Sequence, residues 1–267
     1  MQLNLIPDDR TERLTIIHSR LTEHFGLPEP RQPLDPVSQL VMGLIGGRTR
    51  GAVSATALTR LRLHYADWES LRDAPVTDIE HMISGVTFAE IEAPWLKAAL
   101  LEITVMRGAL TLDFLAALPV SAALAWLERL PGVGRKTAAT VLNFSTLRRR
   151  ALVIDTHHLR VITRLGLVGH GASMEQAYDR LAPLLPSDWS AAELDAHHQL
   201  VKQLGQCRPA VPTCSPCPLN DLCAAGRAAS QPHGKKHRSD AQFVRKPFFL
   251  TPSEVFRDRP TSSAFLQ

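Results

Sequence analysis

Apolar residues recur along almost the whole chain at the spacing of a helix, and no run alternates long enough to build a sheet. That pattern confines the fold to the all-α class. Leu14, Ile17, Leu21 and Phe25 make one apolar stripe on a first helix that Gly26 ends, after which Pro28, Pro30, Pro33 and Pro36 form a stiff, extended crossing. The crossing is a candidate domain boundary. Asp35-Pro36 supplies an N-cap and a first-turn proline for a helix carrying Val37, Leu40, Val41, Leu44 and Ile45, stopped by Gly46-Gly47. A helix from about Ala52 to His64 follows. Thr77-Asp78-Ile79-Glu80 reads as a capping box, and Pro94 and Gly108 bracket a longer helix with Leu96, Leu100 and Ile103 inward. Ser190-Ala191-Ala192-Glu193 is a second capping box, opening a helix that runs to Gly205.

With 267 residues and 45% hydrophobic content the chain has ample material for a packed core. Charged, glycine or proline residues break every apolar stretch before membrane-spanning length, and Met1 to Arg13 lacks the basic-then-apolar build of a secretory signal. No membrane partner and a cytoplasmic location are therefore expected. Thirty basic against 26 acidic residues leave a net charge of +4, and the predominance of arginine favours a polyanionic partner such as nucleic acid.

All four cysteines lie between Cys207 and Cys223, and none remains to staple the rest of the chain. Such clustering marks a metal site in a reducing compartment. The spacing is Cys207-x6-Cys214-x2-Cys217-x5-Cys223. Four thiolates bind either a [4Fe-4S] cluster or zinc, and generic donor chemistry leaves both open. The neighbouring pairs His157-His158 and His197-His198 are poor chelators, because adjacent residues on a helix diverge by about 100°. They are expected to pack and hydrogen-bond instead.

A second constellation is Leu130-Pro131-Gly132-Val133-Gly134-Arg135-Lys136-Thr137-Ala138, between an apolar helix from Ser121 to Arg129 and another from Gly134 to about Leu147. Its two glycines permit a tight turn and close approach of a ligand, and the second helix presents unpaired N–H groups and a positive dipole end. Such a hairpin suits a phosphate. Lys136 sits just inside that helix, where the dipole and partial desolvation disfavour its ammonium form and leave free amine to act as a nucleophile; pairing with a backbone phosphate is the simpler alternative. Asp155, nineteen residues on in Val153-Ile154-Asp155-Thr156-His157-His158, is a credible N-cap.

These motifs resemble the endonuclease III family of helix-hairpin-helix DNA glycosylases over roughly Leu14 to Cys223. The cysteine spacing matches that family's [4Fe-4S] loop rather than a zinc ribbon, and Ala196-His197-His198-Gln199-Leu200 is similar to the family segment ahead of it. The resemblance implies that Gly132, Gly134 and Arg135 hold a DNA phosphate, that Lys136 attacks C1′ of a damaged nucleotide and forms a Schiff base, and that Asp155 assists departure of the base. It also implies a [4Fe-4S] cluster on Cys207, Cys214, Cys217 and Cys223, mainly structural in role.

Where the family carries a glutamine that fills the hole left by the flipped base, this chain has Gly46-Gly47-Arg48-Thr49-Arg50-Gly51. By position Arg48 is the wedge; the alternative is that Arg48 and Arg50 touch phosphates. Relatives that remove adenine place a glutamate in this loop, and its absence argues against that activity. The segment between Gly85 and Lys97 is longer than the family usually shows, and only Arg208 is basic between Cys207 and Cys214, for which Arg148, Arg149 and Arg150 could compensate, although such a run is usually solvated surface.

The expected architecture is two helical lobes with a DNA-binding cleft between them. Residues 1–27 and 151–225 would form the cluster lobe, 28–150 a barrel lobe with the helix-hairpin-helix at about 121–147, and 226–267 a basic, irregular tail. The expected activity is base-excision repair by a bifunctional glycosylase and abasic-site lyase, acting as a nucleoid-associated monomer on duplex DNA with a damaged or mismatched base. A non-catalytic binder of damaged or distorted DNA and a monofunctional glycosylase are the alternatives.

Overall fold

The computed structural model describes residues 9–230. They form helices joined by turns, and among them the sole extended pairing is an isolated bridge between Leu34 and Ser145. In order the helices are α1 (Asp9–Phe25), α2 (Pro36–Leu44), α3 (Gly51–His64), α4 (Trp68–Asp73), α5 (Val76–Met82), α6 (Ala89–Arg107), α7 (Val120–Leu127), α8 (Arg135–Phe144), α9 (Thr156–Arg164), α10 (Met174–Leu181), α11 (Ala191–Gln203) and α12 (Ala224–Ser230). The all-α expectation holds.

Local chemistry places most boundaries. α1 buries Leu14, Ile17 and Leu21, and Gly26 closes it at φ +79° with its N–H on Thr22 O at 2.8 Å. Asp35 caps α2 by accepting from Ser38 N at 2.8 Å, with Pro36 in the first turn. Ser190 and Glu193 form the expected capping box of α11.

Three expectations need correction. Thr77 is not an N-cap: α5 begins one residue earlier, behind Pro75, whose ring fixes the extended backbone ahead of the helix. α6 does not begin at Pro94 but at Ala89, behind Phe88 in the left-handed region, so Pro94 lies inside the helix. The tail is not irregular from residue 226, since α12 runs to Ser230; the basic run 234–238 and the rest of that expectation lie outside the described residues.

The helices pack in two sets. α8 lies against α2 and α7, and α4 and α5 lie against α6; α1 and α9 pack on α11, which also touches α8. α2 and α8 approach closely because Gly43 has no side chain: a Cβ there would stand 2.8 Å from Thr137 Cγ2. That contact sets the loop after α2 beside the first turn of α8.

The two sets are stitched by arginines. Asp195 of α11, 2% exposed, accepts from Arg31 Nε at 2.7 Å and Gln199 Nε2 at 3.1 Å, and lies 3.5 Å from Arg148. Arg31 also stacks over the Phe144 ring at 4.3 Å. Arg148–Arg150 are not a solvated run. Arg149 donates to the carbonyls of Ala116 and Leu118, and Arg150 to those of Trp189, Leu185 and Pro186. Asp195→Ala leaves two guanidinium groups without their shared acceptor and is expected to lower unfolding free energy by roughly 3 kcal/mol, read from urea melts. An unchanged melt would show that the joint contributes nothing.

Candidate active site

The turn between α7 and α8 has the shape its sequence predicts. Gly132 adopts φ +75°, and a Cβ there would sit 3.0 Å from Trp95 Cβ and 3.1 Å from Leu44 Cδ2, so glycine is required on both counts. Val133 N–H donates to Leu130 O at 3.1 Å, and Gly134 leads extended into α8 with no side-chain cap. Both glycines are exposed. The first-turn amides of α8 and its positive dipole end are thus presented at an open turn, an arrangement that favours an anion.

Arg135, expected to meet the phosphate, is engaged elsewhere. Its guanidinium pairs with Glu128 and with Asp179, the latter at 2.9 Å, and stacks 5.0 Å from the Tyr178 ring. Only its backbone remains for a ligand at the turn.

Lys136 is half-buried one residue further on. Burial pulls its pKa below the ordinary 10.5; Asp155 and Glu92 oppose the shift and Lys202 adds to it. These causes place Lys136, Asp155, Lys202 and Glu92 within one electrostatic neighbourhood, drawn from α8, the cap of α9, α11 and α6. Asp155 caps α9 through His158 N at 2.8 Å and holds Lys202 Nζ at 3.3 Å with its other oxygen. Burial works against its ionisation, but the His158 N–H and the nearby positive charge outweigh it and keep the carboxyl well below the usual range. The N-cap role read from the sequence is thus present, and the ion-pair partner of this side chain is Lys202.

Glu92 behaves in the opposite way. It is 6% exposed, its Oε2 has no hydrogen-bond partner, and a Cβ at Gly47 would fall 2.8 Å from its Oε1. Burial, with help from Glu90 and against the pull of Lys136, pushes its pKa up to about 7.

The loop between α2 and α3 forms the rim. Thr87 N donates to Thr49 Oγ1 at 2.9 Å, which ties this loop to the turn before α6. Arg48 and Phe88 both hold left-handed backbones, at φ 56° and 62°, and the Arg48 guanidinium lies 5.4 Å from the Phe88 ring. Non-glycine residues adopt that region at a cost, and two facing each other mark a rim with a geometry to maintain. Phe88, Ile91 and Trp95 are exposed along this end of α6. Arg50 caps α3 with its backbone and is exposed.

The cysteine loop lies under α1 and α9. Arg164 donates to Cys207 Sγ at 3.1 Å and to the carbonyls of Arg208 and Pro209; Arg160 donates to Cys207 O at 2.9 Å; Arg13 reaches Leu222 O at 3.3 Å. All four cysteines are free and half-buried. Burial raises the Cys217 thiol pKa, and the other three cysteines add to it, so all four sulfurs lie within electrostatic reach of one another. Among the described residues no three His, Cys, Asp or Glu groups are gathered tightly enough for a single metal ion. A four-iron cluster spreads its thiolates wider than one ion does, and four unoxidised soft donors suit it.

No family model matches the chain. Endonuclease III of Escherichia coli (strain K12) is 38% identical over 99 residues, which are 36% of this chain and 44% of that protein. The chain thus matches less than half the length of such curated relatives. A solved structure described as a trapped endonuclease III–DNA covalent intermediate, estranged-adenine complex, superposes with TM-score 0.67 at 22% identity, covering 83% of this chain and 99% of the other. Over the matched segment the chain is similar to endonuclease III, and its fold is the one seen in that solved structure. Its fold is also that of a thermostable thymine-DNA glycosylase, with TM-score 0.64 at 18% identity over 82% of this chain and 97% of that one.

Glu92 and Phe88, which the sequence reading did not single out, lie in the stretch between Gly85 and Lys97. Glu92 could have been found, because Ala89, Ala93, Leu96 and Leu100 mark an inward stripe that it shares; starting the helix at Pro94 hides it. Lys202 carried no local signal at all. No described helix is long and apolar enough to cross a membrane.

Proposed function

We propose that this protein excises a damaged or mismatched base from duplex DNA and cleaves the abasic strand through Lys136, acting as a monomer. The observation that carries this reading is Lys136, half-buried on the first turn of α8 behind an open, anion-favouring turn and within electrostatic reach of the Asp155 cap of α9. A DNA phosphate would sit on the amides following Gly132 and Gly134, which draws the adjacent nucleotide toward Lys136. The target nucleotide would swing out of the stack into the pocket between α6, α8 and α9, while Arg48, braced on Phe88, fills the gap it leaves. The cleft would then lie between a lobe of residues 28–150 and a lobe pairing the described residues 9–27 with 151–225.

Lys136 would attack C1′, the C1′–base bond would break, and the sugar would open to a Schiff base from which β-elimination severs the 3′ phosphate. Asp155 stays ionised next to the reacting sugar and stabilises the positive charge that develops there. Cys207, Cys214, Cys217 and Cys223 would hold a [4Fe-4S] cluster, which when bound ties the 207–223 loop to α9 and supplies no step of the chemistry.

Borohydride reduction of the wild-type protein on a duplex with a preformed abasic site tests the reading. A covalent protein–DNA adduct and a β-elimination product are expected. Tight binding with neither product would instead leave a non-catalytic binder, and neither product here together with base release from a lesion-bearing duplex would leave a monofunctional glycosylase.

A further inference from the structure

Glu92 has a role to find. A buried carboxyl oxygen without a hydrogen-bond partner is costly, and a catalytic role is one of the grounds on which native proteins retain one. The carboxyl lies on the inward face of α6, with the bare backbone of Gly47 against Oε1 and the amine of Lys136 as its oppositely charged neighbour. Among the described residues the other charge acting on it is Glu90, on its own helix. It therefore stands between the rim loop at Gly47 and the amine of Lys136, the side from which an extruded base would reach the nucleophile.

We propose that Glu92 is the general acid that protonates the departing base, a role that rests on the glycosylase reading above. Burial keeps a substantial fraction of the carboxyl protonated near neutral pH, which Asp155, held well below its usual range, is not. As Nζ of Lys136 bonds to C1′, the C1′–N electron pair leaves with the base, and the Glu92 proton passes to that base. The base departs neutral and Glu92 is left as carboxylate. The surplus proton on Nζ then returns to Glu92 through water, which restores the acid. The substrate class follows from this chemistry: bases whose departing anions are too basic to leave unaided, rather than those already activated by electron-withdrawing damage.

The test compares two steps in the full-length protein. Base release is measured in single turnovers on duplexes carrying uracil, thymine opposite guanine, thymine glycol or 5-hydroxyuracil, and borohydride trapping is measured on a preformed abasic duplex, which has no base to protonate. Glu92→Gln is expected to slow base release by roughly 100-fold more than it slows trapping. Wild-type base release should fall as pH rises through about 7, where the acid loses its proton, and Glu92→Gln should lose that limb. Glu92→Asp, which keeps the acid on a shorter arm, should fall between the two. Equal losses in both steps would reassign Glu92 to structure, and an unchanged rate and pH profile would dismiss it. Trapping without base release from any of the four duplexes also overturns the proposal while sparing Lys136. Failure of the wild-type protein to trap at all overturns the reading of Lys136 as a covalent nucleophile on which this role rests.

Discussion

Lys136→Ala is expected to abolish the borohydride adduct and to reduce strand cleavage at an abasic site by at least about 1000-fold, the scale seen when a covalent nucleophile is removed. Duplex affinity should change little, because the amides after Gly132 and Gly134 that would hold the phosphate are backbone groups. The fold should also survive. Lys136 is half-buried on the first turn of α8, and the inward positions that follow it, Ala138, Ala139, Val141 and Leu142, do the packing. The informative comparison is Lys202, whose Nζ lies 3.3 Å from Asp155 and which is the other amine of the cluster. It is exposed, whereas Lys136 is sheltered and its pKa lowered. Adduct persisting in Lys136→Ala but lost in Lys202→Ala would move the nucleophile to α11 and refute the assignment. Because the free amine is the reactive form, trapping by the wild-type protein should quicken as pH rises toward the lowered pKa of Lys136.

The legible parts of this site are those that local chemistry writes. Gly132 and Gly134 spell a tight turn, Asp155 and Ser190 spell helix starts, and four cysteines that stay free gather in one short loop. Each depends on residues within a few positions of one another. The hidden parts depend on contacts between distant segments. Nothing near Lys202 announces that it pairs with a residue 47 positions earlier. Arg148–Arg150 read as a solvated run until their carbonyl partners on other segments are known. Arg135 sits in the motif that resembles a phosphate grip, yet Asp179 on α10 claims its guanidinium. Glu92 is intermediate: its helical register is written in the sequence, but the left-handed Phe88 that starts the helix five residues before Pro94 follows no local rule. Thr77 shows the converse, where a well-formed capping signal loses to a proline two residues upstream.

The same long-range packing predicts that the protein is labile to acid well above the range in which ordinary carboxylates titrate. His18, His158, His197 and His198 form a chain of imidazoles, with ring centroids 5.4 to 5.8 Å apart and Trp189 against one end. His198 Nδ1 meets Val153 O at 2.9 Å, but neither nitrogen of His158 has a partner. Burial lowers all four: His158 to about 4, His198 to about 3, His197 well below its ordinary value, and His18 to a lesser degree against the pull of Glu193. These groups are neutral when folded and bind protons more readily when unfolded. Stability is therefore complete above the unfolded value near 6.5 and is lost as pH falls from there toward 4. His158 alone accounts for about 3 kcal/mol of that loss by pH 4. Charging one imidazole makes charging its neighbours harder, so the four do not simply add. Glu92 acts in reverse: its raised pKa favours the fold below about 4.5 and takes that stability away as pH climbs through about 7. The histidines prevail because more of them are shifted. Urea midpoints should hold near pH 7 and collapse between pH 6.5 and 4, and His197→Phe, a ring of similar shape with no proton to bind, should shift that collapse to lower pH. Midpoints that stay level down to pH 4 would mean the imidazoles reach water or a partner once charged, and that their burial does not govern the acid limit of this fold.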